Sequence, residues 1–148
     1  MSNRKKTSSK NSNWTIISAL DSVLNEARGS KLSDEFWKSS KKSLDYLREQ
    51  LELTNMQIIV LAIMIEYGDT ITWKTMAEFL SISRLSMMVY SEEVEELVAI
   101  RWIYHINKSE FGCNWQGFHL VFGVVGAIRH NEKYRPEKNR RPRYPAVC

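Results

Sequence analysis

His105, Cys113 and His119 are the residues of this 148-residue chain whose types come nearest to a metal site, since a hairpin turning near Gly112 would set the two histidines across from each other. Their spacing matches none of the usual zinc patterns, and the carboxylates that hold a metal-bound imidazole from behind are not evident. Two histidines on the outer face of a hairpin are the expected reading, with no metal bound. Glu92-Glu93 and Glu95-Glu96 are the other candidates, because two carboxyl groups facing one cleft can exchange a proton with a substrate. On one helix with no cleft partner they read as a solvated face.

ATP hydrolysis by this chain alone is not expected from its glycine spacing. A P-loop needs Gly, four residues, then Gly-Lys-Ser/Thr, so that successive backbone N–H groups cradle the phosphates. The glycines at 29, 68, 112, 117, 123 and 126 never satisfy it, and neither a dinucleotide fingerprint nor a nucleophile elbow occurs. The expectation is a non-enzyme with no cofactor, no catalytic residue and no small-molecule substrate.

The stretch that organises the chain is Thr72 to Ile103. Thr72 is placed to cap a helix with Met76, Ala77 and Leu80 along one apolar stripe, and Ser81-Ile82-Ser83 ends that helix and caps the next. This is a helix-turn-helix pattern. Such a unit reads double-stranded DNA with polar side chains near the start of its second helix. If Met87, Tyr90, Val94, Leu97 and Val98 are buried, the outward residues include Arg84, Ser86 and Ser91, which suit a groove. Lys74, Arg101 and Lys108 would add phosphate contacts, which position a protein without reading sequence. Leu85, Met88 and Val89 also face outward there, a small apolar patch of the kind that marks a protein contact. Glu92 and Glu95 beside them would repel phosphate. DNA binding is one expectation, and contact with a partner protein or a second copy is the alternative.

Around this unit the apolar spacing predicts a helix from Trp14 to about Arg28, capped by Asn13 and stopped by Gly29. A second helix opens at Ser33-Asp34-Glu35 and runs to Leu51, with Lys38, Lys41 and Lys42 on its solvated side. Thr54 caps a third, NMQIIVLAIMIEY, apolar on nearly all sides and so buried. After the helix-turn-helix, RWIYHI alternates as a strand, 107–116 reads as a polar loop, Gly117 to Val121 returns as its partner, and Val124 to Asn131 closes the fold with Val125 and Ile128 inward. The fold class expected is mainly α with a small β-hairpin, a winged helix-turn-helix carrying two extra N-terminal helices.

Charge divides the chain into three. Residues 1–43 carry nine Lys/Arg against four Asp/Glu, residues 44–130 six against eleven, and residues 131–148 six against two. Residues 1–12 are expected to be a disordered basic arm, 13–131 the folded domain and 132–148 a basic, Pro-rich tail or linker. Attraction to nucleic acid would come mainly from these ends. Two irregular cysteines, no apolar leader, and a longest apolar run of only Ile58 to Ile65 point to a cytoplasmic chain with no membrane contact.

With these residues in hand, the chain resembles the N-terminal winged-helix-like region of Bacteroidetes-type AAA+ family ATPases over roughly residues 33–138. The resemblance rests on the FW helix leading into LDYLREQLELTNMQ, on AEFLSIS, on the hairpin, and on VVGAIRHNEKYRPEK. It implies a domain that precedes a nucleotide-binding module. The Walker motifs of that module are missing here, so its ATP chemistry does not carry over.

Overall fold

The computed structural model describes residues 14–68, 70–110, 113–132 and 134, with the backbone alone over 107–110 and 113–116. It is mainly helical with one two-stranded antiparallel hairpin.

Helix α1 spans Ile16–Ala27 and is capped by Thr15, whose side chain accepts from the Ser18 N–H while Ser18 returns a bond to the Thr15 N–H. The expected cap, Asn13, lies outside the described residues. Ile16, Leu20, Val23 and Leu24 of this helix go inward, and Ile17 is 45% exposed. Gly29 follows at φ 66° and donates to the Phe79 carbonyl at 2.8 Å; Lys31 donates to that of Leu80 at 2.8 Å.

The helix expected from Ser33 to Leu51 is two helices, α2 (Asp34–Ser39) and α3 (Lys41–Leu51). Ser40 sits between them at φ −96°, ψ 1°, and its buried hydroxyl has no hydrogen-bond partner. The bonds Ser40 N–H to Phe36 and Leu44 N–H to Ser40 continue across it at 2.9 Å, so the joint is a kink rather than a break. Lys38, Lys41 and Lys42 lie on the solvated side, as expected.

Helix α4, Asn55–Tyr67, is the centre of the core, with every residue from Met56 to Met64 buried. Thr54 caps it in a box with Gln57, and Gly68 ends it in the left-handed conformation. Helix α5, Trp73–Leu80, follows with Thr72 as cap and Ser81 left-handed at its end. Ser83 then caps the short α6, Arg84–Met87. The second helix of the pair is not continuous: Met88–Tyr90 tightens into a 3-10 turn before α7, Ser91–Ala99. Val89 and Tyr90 are a β-branched and an aromatic residue, both weaker helix formers than their neighbours.

Strands β1 (Ile103–Glu110) and β2 (Cys113–Leu120) pair from Ile103 opposite Leu120 to Glu110 opposite Cys113. The polar stretch expected as a loop over 107–116 is therefore mostly strand, extended by backbone pairing that its composition does not advertise. Ile71 adds a one-residue bridge to Phe118, with reciprocal bonds of 3.0 and 2.8 Å. Gly117 permits this approach, since a Cβ there would stand 2.5 Å from Thr70 Cγ2 and 2.9 Å from the Ile71 carbonyl oxygen. The chain closes with α8, Val124–Arg129, which buries Val124 and Ile128; Val125, expected inward, is out by one position. No helix among the described residues is long and apolar enough to cross a membrane.

Candidate interaction surfaces

The first surface is built by α5, α6 and the 3-10 turn. Ser83 fixes the start of α6 by accepting from the Ser86 N–H at 2.9 Å, and the two hydroxyls bond to each other at 2.9 Å. Ser86, a candidate base reader, is thereby engaged in capping its own helix. Arg84 is exposed on the same turn and makes no ion pair among the described residues. Met87 is fully buried, which anchors the turn and forces its neighbours outward: Leu85 is 78% and Val89 76% exposed, and Met88 joins them. The three apolar side chains expected outward are thus exposed.

The remaining candidates are dispersed. Lys74 Nζ stands 4.0 Å from Glu78 Oε2 one turn along α5, a solvated pair of small energetic value. Ser91 is half-buried where α7 begins. Arg101 is a turn residue at φ 69° whose N–H donates to the Val98 carbonyl at 3.0 Å. Lys108 lies in β1 opposite Trp115, and its side chain is outside the described residues.

The acidic side of the surface is held from below. Gln57, only 3% exposed, donates from Nε2 to the Glu93 carbonyl at 3.0 Å and to Glu96 Oε1 at 3.1 Å. Its Oε1 accepts from the Thr54 N–H at 2.9 Å, and the Thr54 hydroxyl donates to the Glu93 carboxylate. Glu95 pairs with His105 Nε2 at 2.8 Å, tying α7 to β1. None of these contacts was legible in the glutamate run.

The hairpin register separates the two histidines that spacing had set face to face. His105 stands opposite Phe118 and His119 opposite Tyr104, so they occupy opposite faces of the sheet and cannot share an ion. His119 stacks on Tyr104, with ring centroids 5.7 Å apart. The Cys113 side chain is outside the described residues, and the described residues contain no cluster of three or more metal-ligating side chains.

A second surface was not foreseen. Helices α1, α4 and α8 line a half-open apolar hollow of about 130 Å³ formed by Ile17, Leu20, Leu24, Ala62, Ile65 and Ile128, with Asp21 and Glu66 also in its lining. The signal was the adjacent pair Ile16-Ile17, which makes the apolar arc of α1 wider than one buried face uses. Glu66 pairs with Arg28 at 3.8 Å, and the Arg28 guanidinium lies over the Phe79 ring at 4.7 Å. Neither surface brings together a nucleophile, a base and an orienting group.

Compared with known proteins, the chain matches no family model, no curated protein and no solved structure.

Proposed function

We propose that this is a non-catalytic winged-helix domain whose second helix captures a partner protein. The winged-helix reading is supported by the order α4, α5, α6 to α7 and hairpin, and by the one-residue bridge that ties Ile71 to β2 beside the wing. The observation that carries the function is the exposure of Leu85 and Val89, at 78% and 76%, on the face where a DNA reader needs polar donors. Glu92 and Glu95 beside them are exposed and would oppose phosphate. The resemblance to the region preceding an AAA+ module fits a regulatory contact of this kind, in the cytoplasm.

A photo-crosslinking residue at position 89 tests this reading in the native host. One discrete protein adduct, competed by excess wild-type chain but not by the Leu85→Lys/Val89→Lys variant, is the expected result. An adduct pattern indifferent to that competitor overturns it.

The second reading is double-stranded DNA, favoured by exposed Arg84 and by the basic ends of the sequence. It requires duplex binding at low salt that falls steeply as salt rises and weakens in Arg84→Ala. Ser86→Ala should leave such binding nearly unchanged, because its hydroxyl is held in the cap.

A further inference from the structure

The outward face from α6 to α7 is continuous. Met87, Val94 and Leu97 are buried and Tyr90, Ser91 and Val98 half-buried, so one helical phase runs through the 3-10 turn. Leu85, Met88, Val89, Glu92 and Glu96 line the opposite, exposed side. From Leu85 to Ile100 there are four glutamates and no Lys or Arg. Glu95 meets His105 and Glu96 meets the neutral amide of Gln57, while Glu92 makes no ion pair among the described residues. An occupant of this face needs positive charge followed by a few apolar side chains.

We propose that the occupant is this chain's own segment 135–148, laid back along α7 so that it covers the Leu85 patch. The segment lies outside the described residues, but its point of departure is described. The Tyr134 ring packs edge-on against Trp102, with centroids 5.3 Å apart, and the Trp102 N–H donates to the Leu97 carbonyl at 3.0 Å, at the end of α7. Charge is complementary, since the segment carries Arg135, Lys138, Arg140, Arg141 and Arg143 against Glu137 alone. Length is sufficient as well. From Leu97 back to Leu85 the helix runs about 18 Å at ~1.5 Å per residue, whereas Tyr144 reaches about 31 Å beyond Tyr134 at the ~3.1 Å per residue of a proline-rich chain. The arginines thus come over Glu96 and Glu92, and Tyr144 and Val147 over Val89 and Leu85. Residues 2–12, also basic, offer no apolar side chain. Tethering supplies an effective concentration in the mM range, which a dilute second copy does not, so a modest contact suffices. A partner must then displace the segment, a consequence that rests on the partner-capture reading; the contact itself does not.

Paramagnetic relaxation in the full chain tests it. In Cys113→Ser, a nitroxide on Cys148 is expected to broaden the Leu85 and Val89 methyl signals until they are lost, and Arg140→Glu/Arg141→Glu/Arg143→Glu is expected to restore them. The same triple charge reversal in the chain with both cysteines kept is expected to shift those methyl signals, a readout independent of whether Cys113→Ser folds. Broadening absent at Leu85 and Val89, or methyl signals unmoved by the charge reversal, would overturn the proposal. So would equal broadening when spin-labelled chain is mixed with separate isotope-labelled chain, which assigns the face to a second copy. Failure of partner capture reads differently, because the photo-crosslink at position 89 then yields no discrete adduct while the broadening persists. Where the adduct forms, the triple charge reversal should raise its yield several-fold, and an unchanged yield overturns the shielding.

Discussion

Asn131 Oδ1 accepts the backbone N–H of Ile16 at 2.8 Å, joining the second residue after α8 to the first turn of α1. That N–H is one of the donors a helix start leaves open, so a residue near the end of the described chain completes the cap of its first helix. Asn131 also adopts φ 58°, a conformation that asparagine tolerates better than most side chains. Asn131→Ala loses both features and should cost about 1–2 kcal/mol. Asn131→Gly, which keeps the backbone freedom, should cost less; urea unfolding of the pair separates the two effects.

Gln57 joins the start of α4 to α7 with both ends of its amide. Gln57→Leu strands the Thr54 N–H and the Glu93 carbonyl, and a loss of about 1–3 kcal/mol is expected by chemical denaturation. Gln57→Glu should be worse at neutral pH, since the new carboxylate replaces a donor 3.1 Å from Glu96 Oε1. Its stability should recover partly as the solution is acidified and that repulsion is relieved.

Gly117 and Gly126 make a paired prediction of opposite sign. Gly117→Ala presses a methyl against the Ile71 backbone, and loss of about 1–3 kcal/mol follows from overpacking. A Cβ at Gly126, inside α8, meets nothing within 4 Å. Gly126→Ala should therefore stabilise by about 0.5–1 kcal/mol, and a thermal melt reads both.

Asp45 is held below its ordinary carboxyl value of 3.8, first by the hydrogen bond from Lys41 and then, against the opposing effect of burial, by Arg48. A depressed folded value means the stability it contributes is present above the unfolded value and disappears as pH falls through the folded one. Lys41→Ala should flatten this part of the acid limb of a stability-versus-pH curve. The effect is small and fades in salt because the pair is solvent-exposed.

Helix starts were the most legible part of the chain. Thr54, Thr72, Ser33 and Ser83 each cap the helix they precede, because a hydroxyl bonding two or three residues ahead is a local event. What depended on distant partners was not legible. The kink at Ser40 carries no local signal of this kind, and the 3-10 turn at Met88–Tyr90 rests on small propensity differences that do not by themselves mark a break. The hairpin register, which parts His105 from His119, is set with Gly117 lying against Ile71, and periodicity within RWIYHI carries no record of that approach. At the Leu85 patch, the outward residues could be read because Met87 marks the buried side. The hollow at α1 could not, since its walls come from three helices far apart in sequence.

The bonds from Gly29 and Lys31 to the carbonyls of Phe79 and Leu80 bear on how the chain can be cut. A fragment beginning at residue 33 would leave the last turn of α5 with two acceptors open beside the very turn that presents Arg84 and Leu85. A piece that keeps that turn in its native setting therefore includes Gly29 and Lys31, and excision experiments on the helix pair should carry the segment after α1 with it.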